Sequence, residues 1–108
     1  MSTVSTHILD ATAGVPATGV TVTLASGGGT PLASGVTDDD GRIGSFGDVP
    51  LEPGTYTLTF ATGGYFEARG TESFYPEVVV TFRVPHDDRH LHVPLLLSPF
   101  SYSTYRGS

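Results

Sequence analysis

Apolar and polar residues alternate with a period of two along most of this chain. Between Val20 and Ser26, Val20, Val22 and Leu24 alternate with Thr21 and Thr23. Tyr56, Leu58 and Phe60 alternate in the same way with Thr55, Thr57 and Thr59. Farther on, Val78, Val80, Phe82 and Val84 share one face. In "HLHVPLLLS", Leu91, Val93, Leu95 and Leu97 oppose His90, His92 and Pro94. Successive side chains of a strand point to opposite faces, so this alternation predicts half-buried strands.

The stretches between these runs, "SGGGTP", "DDDG", "LEPG" and "VPHDD", carry the Gly, Pro and Asp of turns. The one segment that could hold a short helix is "GGYFEARG", Gly63 to Gly70. Seven or eight short strands with turns at about 8–12-residue spacing predict an all-β fold. We expect an antiparallel β-sandwich with one short helix, rather than parallel crossovers. No repeat, linker or low-complexity tract interrupts it, so residues 1–108 read as a single domain.

Composition narrows the chemistry. There is no Cys, which removes disulfide scaffolds and every Cys-based metal or redox site. A formal net charge of −6 argues against nucleic acid or an anionic membrane as partner. The five basic residues are all Arg, so Schiff-base chemistry is excluded and each cation is a planar fork suited to carboxylates and amides. The N-terminal "MSTVSTHILD" has neither the basic nor the apolar region of a signal peptide, and no run reaches membrane-spanning length. A soluble, cytoplasmic protein is expected.

Four places could carry chemistry. The "TDDDGRIGS" segment lacks the alternating ligands and distant Glu of a calcium loop, so it reads as a hairpin turn that delivers Arg42 to a strand start. In "VSTHILDA", Ser5, His7 and Leu9 face away from Val4, Thr6 and Ile8. His90 and His92, two apart on a strand, project from one face. They suit general acid–base work, or a tri-imidazole zinc site if His7 joined them. His86 reads as a surface residue. Pro94 cannot donate to a ladder and is expected at an edge or bulge. The segment His90–Ser98 is apolar on both faces, and Phe100, Tyr102 and Tyr105 continue the message to Ser108. Together they predict a subunit interface.

The succession "STHILDATAGVPATGVTVTL", "TDDDGRI", "GTYTLTF", "FYPEVVVTF" and "HLHVPLLLSPFSYSTYRGS" resembles the 5-hydroxyisourate hydrolases, the transthyretin-related enzymes of urate breakdown. The front half alone is common to prealbumin-like modules of adhesins and carboxypeptidase accessory domains. The closing Tyr-Arg-Gly-Ser and the His pair are the specific part, since transthyretin lacks both. The resemblance implies a transthyretin-like sandwich, assembled as a homotetramer, a dimer of dimers with active sites at the subunit interface.

It also implies hydrolysis of 5-hydroxyisourate to 2-oxo-4-hydroxy-4-carboxy-5-ureidoimidazoline, with no metal or organic cofactor. The family's catalytic positions fall on His7, Arg42, His92 and Ser108. Substrate-binding roles fall on His7, Arg42, Tyr105 and Arg106. Between the two His the family often has Tyr where Leu91 stands, a change expected to affect packing only. A terminus placed inside the site would explain why the motif ends at Ser108. The rival reading is a non-catalytic small-ligand carrier or adhesion module.

Overall fold

The computed structural model describes residues 1–47 and 49–107. Among them the strands are β1 (Thr3–Asp10), β2 (Val15–Pro16), β3 (Thr21–Ser26), β4 (Pro31–Val36), β5 (Arg42–Ile43), β6 (Gly54–Phe60), β7 (Val78–Val84), β8 (His90–Ser98) and β9 (Ser101–Thr104). One helix, α1, spans Thr62–Ala68 between β6 and β7, within a residue or two of the Gly-bounded segment. Two of the strands are only two residues long, which is why alternation could not reveal them.

The strands form two sheets. One has the order β2-β1-β8-β9, with β5 also paired to β1; the other has the order β4-β3-β6-β7. Their inner faces are the ones the alternation marks. Val4, Ile8, Leu91, Val93, Leu95 and Leu97 from the first sheet meet Val22, Leu24, Leu58, Phe60, Val78 and Val84 from the second. Burying these side chains contributes roughly 1.5–3 kcal/mol each and holds the layers together. Thr6 shares the inner face and is satisfied there by donating from Oγ1 to the Val93 carbonyl at 2.6 Å.

Among the described residues every strand pairing is antiparallel except one. β1 and β8 run parallel over their length, with Thr3 beside His90, Ser5 beside His92 and His7 beside Pro94. Parallel neighbours need a long connection. Here it is the entire second sheet, and α1 with it.

Two expectations are corrected. Pro94 is not on an edge: β8 lies between β1 and β9. β8 and β9 pair from Leu95–Thr104 to Ser98–Ser101, and His92 and Gly107 meet in the same register beyond a gap. That register would set Tyr105 opposite Pro94, which has no N–H to give. The ladder therefore breaks there, and the Thr104 hydroxyl donates to the Pro94 carbonyl at 2.7 Å. Nor is the Asp-rich turn a hairpin, because β4 and β5 belong to different sheets and the turn crosses between them.

Candidate active site on the outer face of the first sheet

Three adjacent strands build the site. β5 pairs with β1 so that Arg42 lies beside His7, and β1 pairs with β8 so that Ser5 lies beside His92. Neighbours across a sheet share a face, so Arg42, His7, Ser5, His92 and His90 project outward together. This is the face opposite the core.

The seat of Arg42 is made by the turn before it. Asp38 Oδ1 accepts the backbone N–H groups of Asp40 at 2.9 Å and Arg42 at 3.0 Å. The N–H of Arg42, first, then the N–H of Asp40 and the Arg42 charge hold the Asp38 carboxyl below its ordinary value against the opposing effect of burial. Gly41 then adopts φ 74° and passes against β1, where its carbonyl accepts the Ile8 N–H at 2.7 Å. A Cβ at Gly41 would stand 2.4 Å from the Ile8 carbonyl oxygen, so only Gly allows this approach. The ion pairs of the described residues are Met1–Asp88 and Arg89–Asp87, so the exposed Arg42 guanidinium is not engaged in one.

His92 is half-buried and its pKa is lowered, chiefly by burial, then by the charges of Arg42, His7 and His90. The Ser5 hydroxyl meets His92 Nδ1 at 2.8 Å and His90 Nε2 at 2.8 Å. Thr3 Oγ1 meets the other nitrogen of His90 at 2.6 Å. Behind His92, Gly107 donates its N–H to the His92 carbonyl at 2.8 Å. Ser5, Arg42, Gly44, His90 and His92 line an open cleft of about 200 Å³. His7 lines an adjoining hollow with Pro16 and Asp40, and Arg42 borders both.

The arrangement supplies titratable imidazoles, a fixed planar cation and hydroxyls on one open surface. It can position a polar planar molecule, take or give a proton near neutrality, and stabilise developing negative charge. The tri-imidazole alternative is not formed: among the described residues no three His, Asp or Glu converge as metal ligands do.

The other expected residues lie elsewhere. Tyr105 and Arg106 border a separate groove with Val80, Phe82 and Leu91, between the open edges of the two sheets. Ser108 lies outside the described residues. His86 is exposed, as expected. Sequence reasoning gave no role to Ser5 and Thr3, and Gly107 entered only as part of the closing Tyr-Arg-Gly-Ser. The shared face of Ser5 and His7 was the available signal, but nothing local says that this face lies beside His90 and His92.

A model of the HIUase/Transthyretin family matches residues 4–107. A 5-hydroxyisourate hydrolase of Salmonella dublin is 47% identical over 108 residues, covering 96% of this chain and 79% of that protein. The structure of Klebsiella pneumoniae 5-hydroxyisourate hydrolase superposes with a TM-score of 0.91 at 46% identity, covering 98% of this chain and 99% of the other. Sea bream transthyretin in complex with thyroxine superposes with a TM-score of 0.88 at 34% identity, covering 96% and 93%.

Proposed function

The chain belongs to the HIUase/transthyretin family, and on that premise we propose that it hydrolyses 5-hydroxyisourate to 2-oxo-4-hydroxy-4-carboxy-5-ureidoimidazoline. The observation that carries this reading is the convergence of His7, Arg42 and His92 from three adjacent strands onto one open face. Hydrolytic ring opening needs a base for water, a stabiliser for oxyanion charge and an acid for the leaving nitrogen. His92, whose protonation is disfavoured first by burial and then by the Arg42 charge, takes the proton of the attacking water. Arg42 holds the substrate oxygens and stabilises the charge that develops on them. His7, beside Arg42, orients the substrate and shares the proton traffic.

We further propose a homotetramer with the site at a subunit interface. A cleft of about 200 Å³ is smaller than most ligand pockets and open to solvent, so a second copy would enclose it. Phe100, Tyr102 and Tyr105 are exposed at 60%, 40% and 58%, as an interface segment would be in the isolated chain. Tyr105, Arg106 and Ser108 then close the pocket in the assembly. Ser108 stays in the set because it follows Gly107, whose backbone pairs with His92.

The likeness to a thyroxine-bound transthyretin favours a second reading, a carrier without catalysis. One assay separates the two. Freshly generated 5-hydroxyisourate, followed by ultraviolet absorbance, should disappear faster with purified protein. Decay at the spontaneous rate would leave the carrier.

A further inference from the structure

Four side chains of the site stand in single file. Thr3 meets His90 Nδ1 at 2.6 Å, His90 Nε2 meets Ser5 at 2.8 Å, and Ser5 meets His92 Nδ1 at 2.8 Å. The members alternate between β1 and β8, and only the parallel register that sets Thr3 beside His90 and Ser5 beside His92 allows the file to form. Its outer end is exposed at Thr3 and His90, while Ser5 in its middle is 8% exposed. With Nδ1 committed to Ser5, Nε2 is the nitrogen that His92 has left for the cleft.

The proton count of this file is restrictive. The Ser5 hydroxyl carries one proton, so it donates to one imidazole and accepts from the other. Each neutral imidazole carries one N–H. Two arrangements satisfy all three contacts. In one, Thr3 donates to His90, His90 to Ser5 and Ser5 to His92, so His92 presents Nε2–H to the cleft. In the other every bond is reversed, and His92 presents a lone pair. Turning one bond turns them all.

We propose that Thr3, His90, Ser5 and His92 form a two-state proton wire between solvent and the cleft, which lets His92 act as base and then as acid in one turnover. His92 Nε2 takes a proton from the attacking water. The Nδ1 proton passes to Ser5, the Ser5 proton to His90 Nε2, the His90 Nδ1 proton to Thr3, and the Thr3 hydroxyl proton to bulk water. His92 is then neutral with Nε2–H facing the leaving nitrogen. When that proton is given up, the wire refills from solvent through Thr3. One proton leaves and one returns, so the cycle closes without a co-reactant. Ser5, His90 and Thr3 are positioning residues; only His92 meets the reacting atoms. Arg42 and His7, the other charged or titratable groups acting on His92, oppose a lasting imidazolium and favour passing the proton on.

The catalytic part rests on the hydrolase reading, but the wire itself can be tested without turnover. Nitrogen-15 NMR of the intact protein at pH about 8, above the ordinary His pKa of about 6.5, reports which ring nitrogen holds each proton. Both arrangements give His90 and His92 the same tautomer, and Ser5→Ala should break that match. Opposite tautomers in the unmodified protein would overturn the wire.

In turnover, Ser5→Ala should lower kcat by about tenfold or more, with KM little changed, because general acid–base assistance is worth on the order of 10²–10⁴. The solvent isotope effect should change from a curved, multi-proton dependence on deuterium content to a linear one. Ser5→Thr, which restores a hydroxyl, should recover most of the rate. Ser5→Ala with unchanged kcat and isotope dependence would overturn the wire and leave the hydrolase reading standing. A protein with no activity at all would remove the hydrolase reading, and the tautomers would still decide the wire.

Discussion

Gly107 packs closely against the ring of His92. Its N–H donates to the His92 carbonyl at 2.8 Å, and a Cβ built on it would stand 2.7 Å from His92 Cδ2 and 3.2 Å from Pro94 Cγ. The contact needs a residue without a side chain, whatever its φ. Gly107→Ala should therefore push the imidazole out of line with Ser5. Misplacing a catalytic group by about 1 Å can cost up to roughly a hundredfold. We expect a fall of about ten- to a hundredfold in kcat/KM for 5-hydroxyisourate, with far-ultraviolet circular dichroism unchanged. Normal kcat/KM would show that the ring position is unimportant.

His92→Ala should cost roughly a hundredfold or more in turnover, the usual scale for losing an acid–base group. His92 is half-buried on the outer face, away from the core, so the variant should fold and assemble as the unmodified protein does. Size-exclusion chromatography and the absorbance assay check both halves. Full activity in this variant would remove His92 from the mechanism.

Acid pH should switch activity off through His92. Burial, then Arg42, His7 and His90, oppose its protonation and lower its pKa from the ordinary 6.5. The acid limb of kcat/KM should accordingly lie below 6.5. Arg42→Gln removes one of the opposing charges, so the limb should move upward while the plateau drops. The same shift makes folding less favourable as pH falls through 6.5, because the unfolded chain binds that proton more readily. NMR titration of the His92 ring in both proteins measures the displacement directly. A limb that stays in place would mean that another group controls it.

Stability should depend on one buried polar contact far from the cleft. The Tyr65 hydroxyl, on α1, donates to Asp10 Oδ2 at 2.8 Å, and Asp10 Oδ1 accepts the N–H groups of Thr12 and Ala13. Burial, then the Asp10 carboxylate, raises the Tyr65 pKa to about 12. Tyr65→Phe leaves a buried carboxylate oxygen without its donor, which should cost about 1–3 kcal/mol. Urea unfolding should show the loss, while kcat of the folded protein stays unchanged.

Gly41→Ala should be worse for folding than for any other property. The substitution strains a backbone at φ 74° and sets a Cβ 2.4 Å from the Ile8 carbonyl oxygen. A penalty of roughly 1–3 kcal/mol is usual for strain of this kind. Because the same turn seats Arg42 beside His7, activity should fall too. A thermal midpoint equal to that of the unmodified protein would contradict the close approach.

Much of this molecule follows from the chain read locally. Alternation assigned Leu91, Val93, Leu95 and Leu97 to the core and His90 and His92 to the other face, because strand side chains alternate whatever the strand's neighbours are. For the same reason Ser5 and His7 were placed together, and the Gly-bounded segment held α1, the one helix among the described residues. Local pattern is silent about partners, since a strand has the same period beside a parallel neighbour as beside an antiparallel one.

The tertiary structure decided which strands meet. It set β1 parallel to β8, carried Arg42 across from the turn after β4, and placed Pro94 inside a sheet at a gap that its missing N–H creates. The β1–β8 pairing joins residues more than eighty positions apart, and it is selected by the fit of two whole inner faces. The separate His and Arg were legible in the sequence. Their meeting, and the Ser5 hydroxyl between two imidazoles, exist only because the faces packed in that register.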